Sequence, residues 1–476
     1  MCEFVARTLP ARAPMIPDRP GPLDVPRVLS GRGLVETSRW SHNAENSRPR
    51  TMTPRSLDTT PGLAGPAGPA CGSTPRVPRG TGNSFAGVTL EEAVRRAEDL
   101  VPFLREQAAA QEAHRGTTPG VLEALHRSGV IRCVQPARYG GMELEFVSYF
   151  DIPAVLARGD ASVGWVVANL ASHHRTLALF EPRAQEEVWG EDPDALIASG
   201  IAYQQGRGRK VDGGVVLSGS WGFSSGVDVA GWNMLACVVR DGDTVLDYRY
   251  CLLRRHQYEI VDDWHTLGMC ASGSRTARCS EVFVPDHMTL SMHVARPDHR
   301  FPGLAVNTHP VFRVPSSALG GHPIGAAIAG NAQAALDTAV ELVKSRSTNY
   351  TGAKMRDFQT VQLRIGMAGA RIDAAHLLMR NDCLEAAATC RNGGTIDTET
   401  RLRYKRNAAM AAKLCTEAID SLHEMAGGAG IYDSHPLQRM FRDAHAASAH
   451  FSFSLDAQLP PWGLVRLGGE MRSPTL

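Results

Sequence analysis

Near the C-terminus, Arg439 and Arg442 stand three residues apart, Asp443 follows directly, and His445 and His450 lie further on. Guanidinium groups at i,i+3 share one helix face and suit an anion such as phosphate. An imidazole, with an ordinary pKa of about 6.5, can give or take a proton at working pH. Gly427-Gly428-Ala429-Gly430 precedes them and lets backbone approach a ligand closely. Taken alone, this stretch equally describes a capped helix with a solvated face. Three other groups have comparable chemistry: Ser172-His173-His174-Arg175, Trp221-Gly222-Phe223-Ser224-Ser225-Gly226, and Ser272-Gly273-Ser274. Serine hydroxyls donate or accept without carrying charge, aromatic rings offer flat faces, and successive backbone N–H groups can hold a phosphate.

The elements that must position these residues follow from patterning. Thr89-Leu90-Glu91-Glu92 is a capping-box pattern, and Val94, Ala97, Leu100, Val101 and Leu104 continue it at helical spacing. Thr118-Pro119 starts a second helix that Gly129 ends. The Ala/Val/Leu-rich run from Phe146 to Leu179 reads as two buried helices, with Asp160 to Trp165 at their junction. His173 follows Trp165 by eight residues, so one helix would place both on roughly one side. From about Ala198 short β-rich runs alternate with turns: Val215–Leu217, Trp232–Val239, Thr244–Leu253, Glu259–Val261 and Glu281–Val284. Asp212-Gly213-Gly214 and Asp241-Gly242-Asp243 are hairpin signals. Long helical patterns return at 326–344, 359–388 and 400–425. The expected fold class is α+β: an N-terminal helical domain (87–197), a middle antiparallel β domain (198–300), and a C-terminal domain (301–476) built on a four-helix bundle.

Residues 1–86 differ from the rest. They hold nearly half of the 29 prolines and much Gly, Ser and Arg, a composition that buries too little apolar surface to order itself. This leader is expected to be disordered, and Met52 is a candidate start. The formal net charge of +1 gives no bulk field for nucleic acid. No apolar run reaches membrane length. The ten cysteines show no C-x-x-C or metal-like spacing, so they read as reduced thiols of a cytoplasmic protein. No metal site is expected. No G-x-G-x-x-G on a βαβ unit offers a nicotinamide site.

The order of helices, β domain and helical bundle resembles the acyl-CoA dehydrogenase fold over roughly residues 90–460. Pro136-x-x-Tyr139-Gly140-Gly141, Trp221 to Gly226, and Gly427-Gly-x-Gly430 with Pro436-x-x-Arg439-x-x-Arg442-Asp443-Ala444 are similar to its motifs. In the dehydrogenase branch a Tyr-Glu-Gly run follows the Arg-Asp pair and its Glu removes the substrate α-proton. Here the run reads His450-Phe451-Ser452. A phenylalanine accepts no proton, which argues against desaturation by that route.

With Ala161-Ser-Val-Gly164-Trp165, Ser172-His173 and Trp264-x-x-Leu-Gly268-Met-x-x-Ser272-Gly273-Ser274, the chain resembles the two-component (group D) flavin-dependent monooxygenases on that fold. The oxygenase component of p-hydroxyphenylacetate hydroxylase is one such enzyme. The resemblance implies reduced FMN or FAD from a separate NAD(P)H–flavin reductase, O2, a C4a-hydroperoxyflavin, and hydroxylation of a phenolic or polyketide-like small molecule by a homotetramer. It assigns His450 to face flavin and substrate, Ser224 or Ser225 (Ser224 favoured by strand alternation) to the flavin N5, and His173 to the substrate oxygen. Trp165, Trp221, Phe223, Ser272, Gly273, Ser274, Arg439 and Arg442 would hold the cofactor. The family's Gly-Thr-Gly-Ser reads Ala271-Ser272-Gly273-Ser274 here, which weakens the phosphate assignment. An N-oxygenase of an amine or amino sugar, a dehydrogenase with a relocated base, and a flavin-binding protein without catalysis remain as alternatives.

Overall fold

The structure, a computed structural model, describes residues 82–292 and 301–471. Most of the leader, with Met52, lies outside the described residues. Its last residues belong to the folded part, contrary to a boundary at 86. Phe85 is buried, its ring beneath Arg132 and against Gly129, and the Gly82 N–H donates to Asp194.

Helix α1 (Leu90–His114) starts where Thr89 Oγ1 accepts the Glu92 N–H, and buries Ala93, Ala97, Val101, Leu104 and Ala108 along one stripe. Helix α2 (Pro119–Ser128) has proline at its first position and ends at Gly129 with φ 75°. Helices α3 (Ser148–Leu156) and α4 (Ala161–Leu177) are buried almost all round. Asp160 caps α4, its carboxylate accepting the Ser162 and Val163 N–H groups. A short turn, α5 (Pro182–Gln185), leads to the sheet.

The sheet is mixed rather than antiparallel. Strands β1 (Ile197–Gly200) and β2 (Gly206–Val211) both run parallel to β4 (Trp232–Asp241), β1 against residues 232–235 and β2 against 238–240. They are two pieces of one interrupted strand on a single edge of β4. Strands β3 (Gly214–Trp221), β5 (Thr244–Arg254), β6 (Glu259–Val261), β7 (Thr276–Pro285) and β8 (Thr289–Ser291) pair antiparallel, in the order β6-β7-β3-β2-β4-β5-β8. Gly213 and Gly242 take positive φ in the two hairpin turns.

The C-terminal part contains the turn α6 (Ser316–Leu319), the long helices α7 (Gly321–Ser345), α8 (Gln359–Arg391) and α9 (Thr398–Ala426), then α10 (Pro436–Ser448) and α11 (Leu455–Arg466). The face of α7 is largely Ala and Gly, which allows close crossing: a Cβ on Gly330 would strike the Ala154 carbonyl of α3. A buried polar network ties α7, α8 and α9, with His322 Nε2 3.0 Å from Asp382 and Asn407 Nδ2 donating to the same carboxylate.

One junction positions the site. The loop between β6 and β7 lies on α10, and at Gly268 a side chain would collide with the Arg442 carbonyl and the Asp443 nitrogen. Arg442 Nη1 donates to Leu267 O at 2.8 Å, and the Met269 N–H donates to Asp443 Oδ1 at 2.6 Å. Met269 sits at φ 55°, so the carboxylate holds a left-handed residue at the start of the turn that carries Ser272 to Ser274.

Candidate active site

Three elements bring hydroxyls and rings together. Helix α4 supplies Trp165, the β3–β4 connection supplies Ser225, and the β6–β7 loop supplies Ser272 and Ser274. Trp165 Nε1 donates to Ser225 Oγ at 3.1 Å, Ser225 Oγ lies 2.8 Å from Ser274 Oγ, and Ser274 Oγ lies 2.7 Å from Ser272 Oγ. All four residues are buried. The Gly226 N–H donates to Ser272 O and the Ser224 N–H to Arg275 O, so the backbones of the two loops are tied as well.

His450 closes this group from the C-terminal side, its ring edge-on to Trp165 with centroids 5.8 Å apart. The Ser452 N–H donates to His450 Nδ1 at 3.2 Å. A nitrogen that accepts a backbone N–H carries no proton, so the neutral ring has its hydrogen on Nε2. Burial pushes His450 below the usual histidine range, favouring that neutral form at neutral pH. His450 therefore presents a donor, suited to holding an oxyanion.

Other assignments change with the geometry. Ser224 turns its hydroxyl to Asn233, 3.2 Å from Nδ2, and the serine in the cluster is Ser225; both lie past the end of β3, where strand alternation does not apply. Trp221 is wholly enclosed, its Nε1 donating to Ala236 O at 2.7 Å, and Gly200, Gly206 and Gly219 make room for its ring. It is core and has no face for a flavin. His173 is spent within the protein: Ile197 O, which can only accept, lies 2.6 Å from Nδ1, and Ser199 Oγ lies 2.8 Å from Nε2. It pins α4 to β1 and has no nitrogen left for a substrate oxygen. His174 is buried edge-on to Trp189.

The phosphate assignments are also altered. The hydroxyls of Ser272 and Ser274 serve the buried chain, and Gly273, at φ 52°, makes the turn beside Asp228. Arg442 is committed to Glu112 at 2.6 Å, to Leu267 O and to Gln438. Arg439 makes no hydrogen bond among the described residues. Its charge acts on the buried Asp160 and Asp443. Burial pushes Asp443 up to about 7, against the pull of the Met269 N–H. Asp443 was legible only as part of the Arg-Asp-Ala signature, and its grip on the β6–β7 loop carried no sequence signal.

A flavin ring needs a flat apolar surround with hydroxyl or N–H groups at its polar edge. Phe223 stands 76% exposed at φ 63°, edge-on to Trp264 at 5.9 Å, two residues from Ser225. Leu267 and Phe451 are exposed beside Gly268 and His450. Exposed aromatic and aliphatic side chains around a buried hydroxyl–indole chain fit such a ring. Among the described residues no group of His, Cys, Asp or Glu could hold a metal ion.

Comparison with known proteins agrees. Residues 323–455 match the family described as acyl-CoA dehydrogenase, C-terminal domain. The oxygenase subunit HsaA of a flavin-dependent monooxygenase from Rhodococcus jostii is 36% identical over 359 residues, 75% of this chain and 93% of that protein. The oxygenase component of an FADH2-dependent resorcinol hydroxylase from Rhizobium is 31% identical over 79% of this chain and 94% of its own. The crystal structure of HsaA from Mycobacterium tuberculosis superposes with a TM-score of 0.77 at 32% identity, covering 82% of this chain and all of that one. The fold and site define a flavin-dependent oxygenase on the acyl-CoA dehydrogenase scaffold. The chain belongs to the oxygenase subunits of the flavin-dependent monooxygenases, which act with reduced flavin and O2.

Proposed function

We propose that this chain is the oxygenase half of a two-component system that hydroxylates a phenolic or polyketide-like aromatic small molecule, with reduced FMN or FAD delivered by a separate NAD(P)H–flavin reductase. When bound, the reduced flavin would supply the two electrons that activate O2, one atom of which goes to the substrate and the other to water. The carrying observation is His450: its Nδ1 accepts the Ser452 N–H, so Nε2–H is presented beside Trp165. A donor there stabilises a phenolate, the form in which a ring is electron-rich enough to take an electrophilic oxygen. Ser225 would hold the flavin's polar edge, with Trp165 and Phe223 as its walls. The N-oxygenase reading needs no phenolate and leaves the orientation of His450 without a purpose.

Two further features support the assembly and compartment. Leu363, Met367, Leu377 and Leu384 are exposed along one side of α8 at spacings of four, ten and seven, a stripe suited to burial against copies of this chain in a homotetramer. The described cysteines are free thiols, and no helix among the described residues is long and apolar enough to cross a membrane, consistent with a cytoplasmic enzyme.

The test is incubation with photoreduced FMN or FAD, air and a panel of phenols, followed by mass spectrometry. One added oxygen is the expected result. No product with any phenol, alongside oxygenation of an amine, would replace the reading. The chain with NADH and oxidised flavin alone should turn over nothing. His450→Ala should lower ring hydroxylation about a hundred-fold, the scale of a lost charge-stabilising donor, and His450→Gln, which keeps an N–H, should recover part of it.

A further inference from the structure

The buried row Trp165–Ser225–Ser274–Ser272 has a property that its members lack singly. An indole N–H can only donate, whereas each hydroxyl has one hydrogen and two lone pairs. Ser225 Oγ must therefore accept from Trp165 and send its own hydrogen elsewhere. Two destinations exist: Ser274 Oγ, 2.8 Å away, or an acceptor on a bound ligand. Ser274 has the same freedom, since Ser272 Oγ lies 2.7 Å on its far side.

We propose that Ser274 and Ser272 are positioning residues that decide which way the Ser225 hydroxyl points, and so how strongly it donates to the flavin. This rests on the functional reading above, in which Ser225 faces the flavin's polar edge. Without a ligand, the hydrogens run from Trp165 to Ser225 to Ser274 to Ser272. With an acceptor present, the three hydroxyls turn together: Ser272 donates to Ser274, Ser274 donates to Ser225, and Ser225 donates outward while accepting from both Trp165 and Ser274. No proton changes oxygen and no alkoxide forms. Only O–H rotations occur, and they balance at every atom. A hydroxyl that accepts two hydrogen bonds is polarised and becomes a stronger donor.

Burial is what makes the device work. Ser272 and Ser274 are 1% and 4% exposed, so water does not compete for their hydroxyls. The row also spans separate elements, since Trp165 is on α4, Ser225 on the β3–β4 connection and the other two on the loop docked to α10. Its geometry therefore depends on the seating of that loop, which Asp443 and Gly268 fix.

The experiment compares Ser274→Ala, Ser274→Thr, Ser225→Ala and the double variant Ser225→Ala/Ser274→Ala with the unaltered chain, using reduced flavin, air and a phenol that is hydroxylated. The readout is the ratio of H2O2 released to product formed. Ser274→Ala should raise it about five-fold, the scale of one net hydrogen bond of about 1 kcal/mol. Ser274→Thr, which keeps the hydroxyl, should restore it. Within the Ser225→Ala background, Ser274→Ala should change nothing more. An unchanged ratio in Ser274→Ala, or its full effect persisting without Ser225, overturns the proposal.

A second readout needs no flavin. In protein labelled with 15N-tryptophan, the Trp165 indole resonance, assigned by its loss in Trp165→Phe, should shift in Ser274→Ala and return with Ser274→Thr. Should the unaltered chain consume no reduced flavin, the functional reading fails separately. The indole resonance then decides the hydroxyl row, and no shift overturns it.

Discussion

Buried ionisable residues near the site pull stability in opposite directions with pH. Burial pushes His173 down to about 4, against the pull of the Ile197 carbonyl. The unfolded chain would protonate this ring near pH 6.5 and the folded one would not, so stability falls as pH drops from about 6.5 towards 4 and levels off below. The full contribution is on the order of 3 kcal/mol. His173→Gln, compared with the unaltered protein by urea denaturation at pH 7 and pH 4.5, should lose less stability between the two. An identical loss would show that the ring is not excluded from water. Asp443 has the other sign. Its folded pKa is raised, so its stabilising effect is complete below the ordinary carboxylate pKa of about 4 and is lost as pH rises through about 7. Asp443→Asn keeps an oxygen to accept the Met269 N–H and removes the buried charge. It should stabilise by about 2–4 kcal/mol at pH 8, with the gain vanishing near pH 4. Destabilisation at pH 8 would mean that the charge itself, facing Asp160, Glu112, Arg439 and Arg442, holds the loop.

At the scale of elements, the decisive contact is between the β6–β7 loop and α10. Gly268→Ala pushes a methyl against the α10 backbone at Arg442 and Asp443, which cannot yield as a flexible side chain would. It should cost about 1–3 kcal/mol, typical of overpacking. Flavin affinity, followed by fluorescence quenching, should weaken even at temperatures where the protein stays folded. Unaltered affinity would separate the loop from the cofactor. Helices with caps and one apolar stripe, such as α1 and α2, were readable from sequence because their signals are local. Strands β1 and β2 were not. Ile197–Gly200 is buried on both faces and so shows no alternation, and Gly206–Val211 reads Gly-Arg-Gly-Arg-Lys-Val, held in place by its partners. The same limit applied within the site. The alternation argument assumed that Ser224 and Ser225 lie on a strand, but β3 ends at Trp221, and the choice between them depended on Asn233 taking the Ser224 hydroxyl. The resemblance assigned His173 to the substrate oxygen, and nothing local in the sequence shows that Ile197 and Ser199 take both of its nitrogens.

For the whole molecule, a lone copy leaves the long helix α8 with Leu363 and Leu377 each about two-thirds exposed. A helix apolar on both sides is stable when both sides are covered. Leu363→Glu/Leu377→Glu should convert the proposed homotetramer to smaller species, read by light scattering after gel filtration. An unchanged mass would place the interface elsewhere. Covering that face would also add stability by mass action, so the melting temperature should rise with protein concentration in the unaltered chain and not in the double variant.

Phe223, Leu267 and Phe451 stand in solvent, each within two residues of a fixed part of the frame: the buried Ser225 and Gly268 and the half-buried His450. This separation lets the same scaffold be retooled. Variation at those three positions reshapes what can enter while the hydroxyl row and the loop on α10 keep their geometry. A library randomised there should yield folded enzymes with altered substrate ranges, whereas one randomised two residues deeper should yield mostly inactive protein.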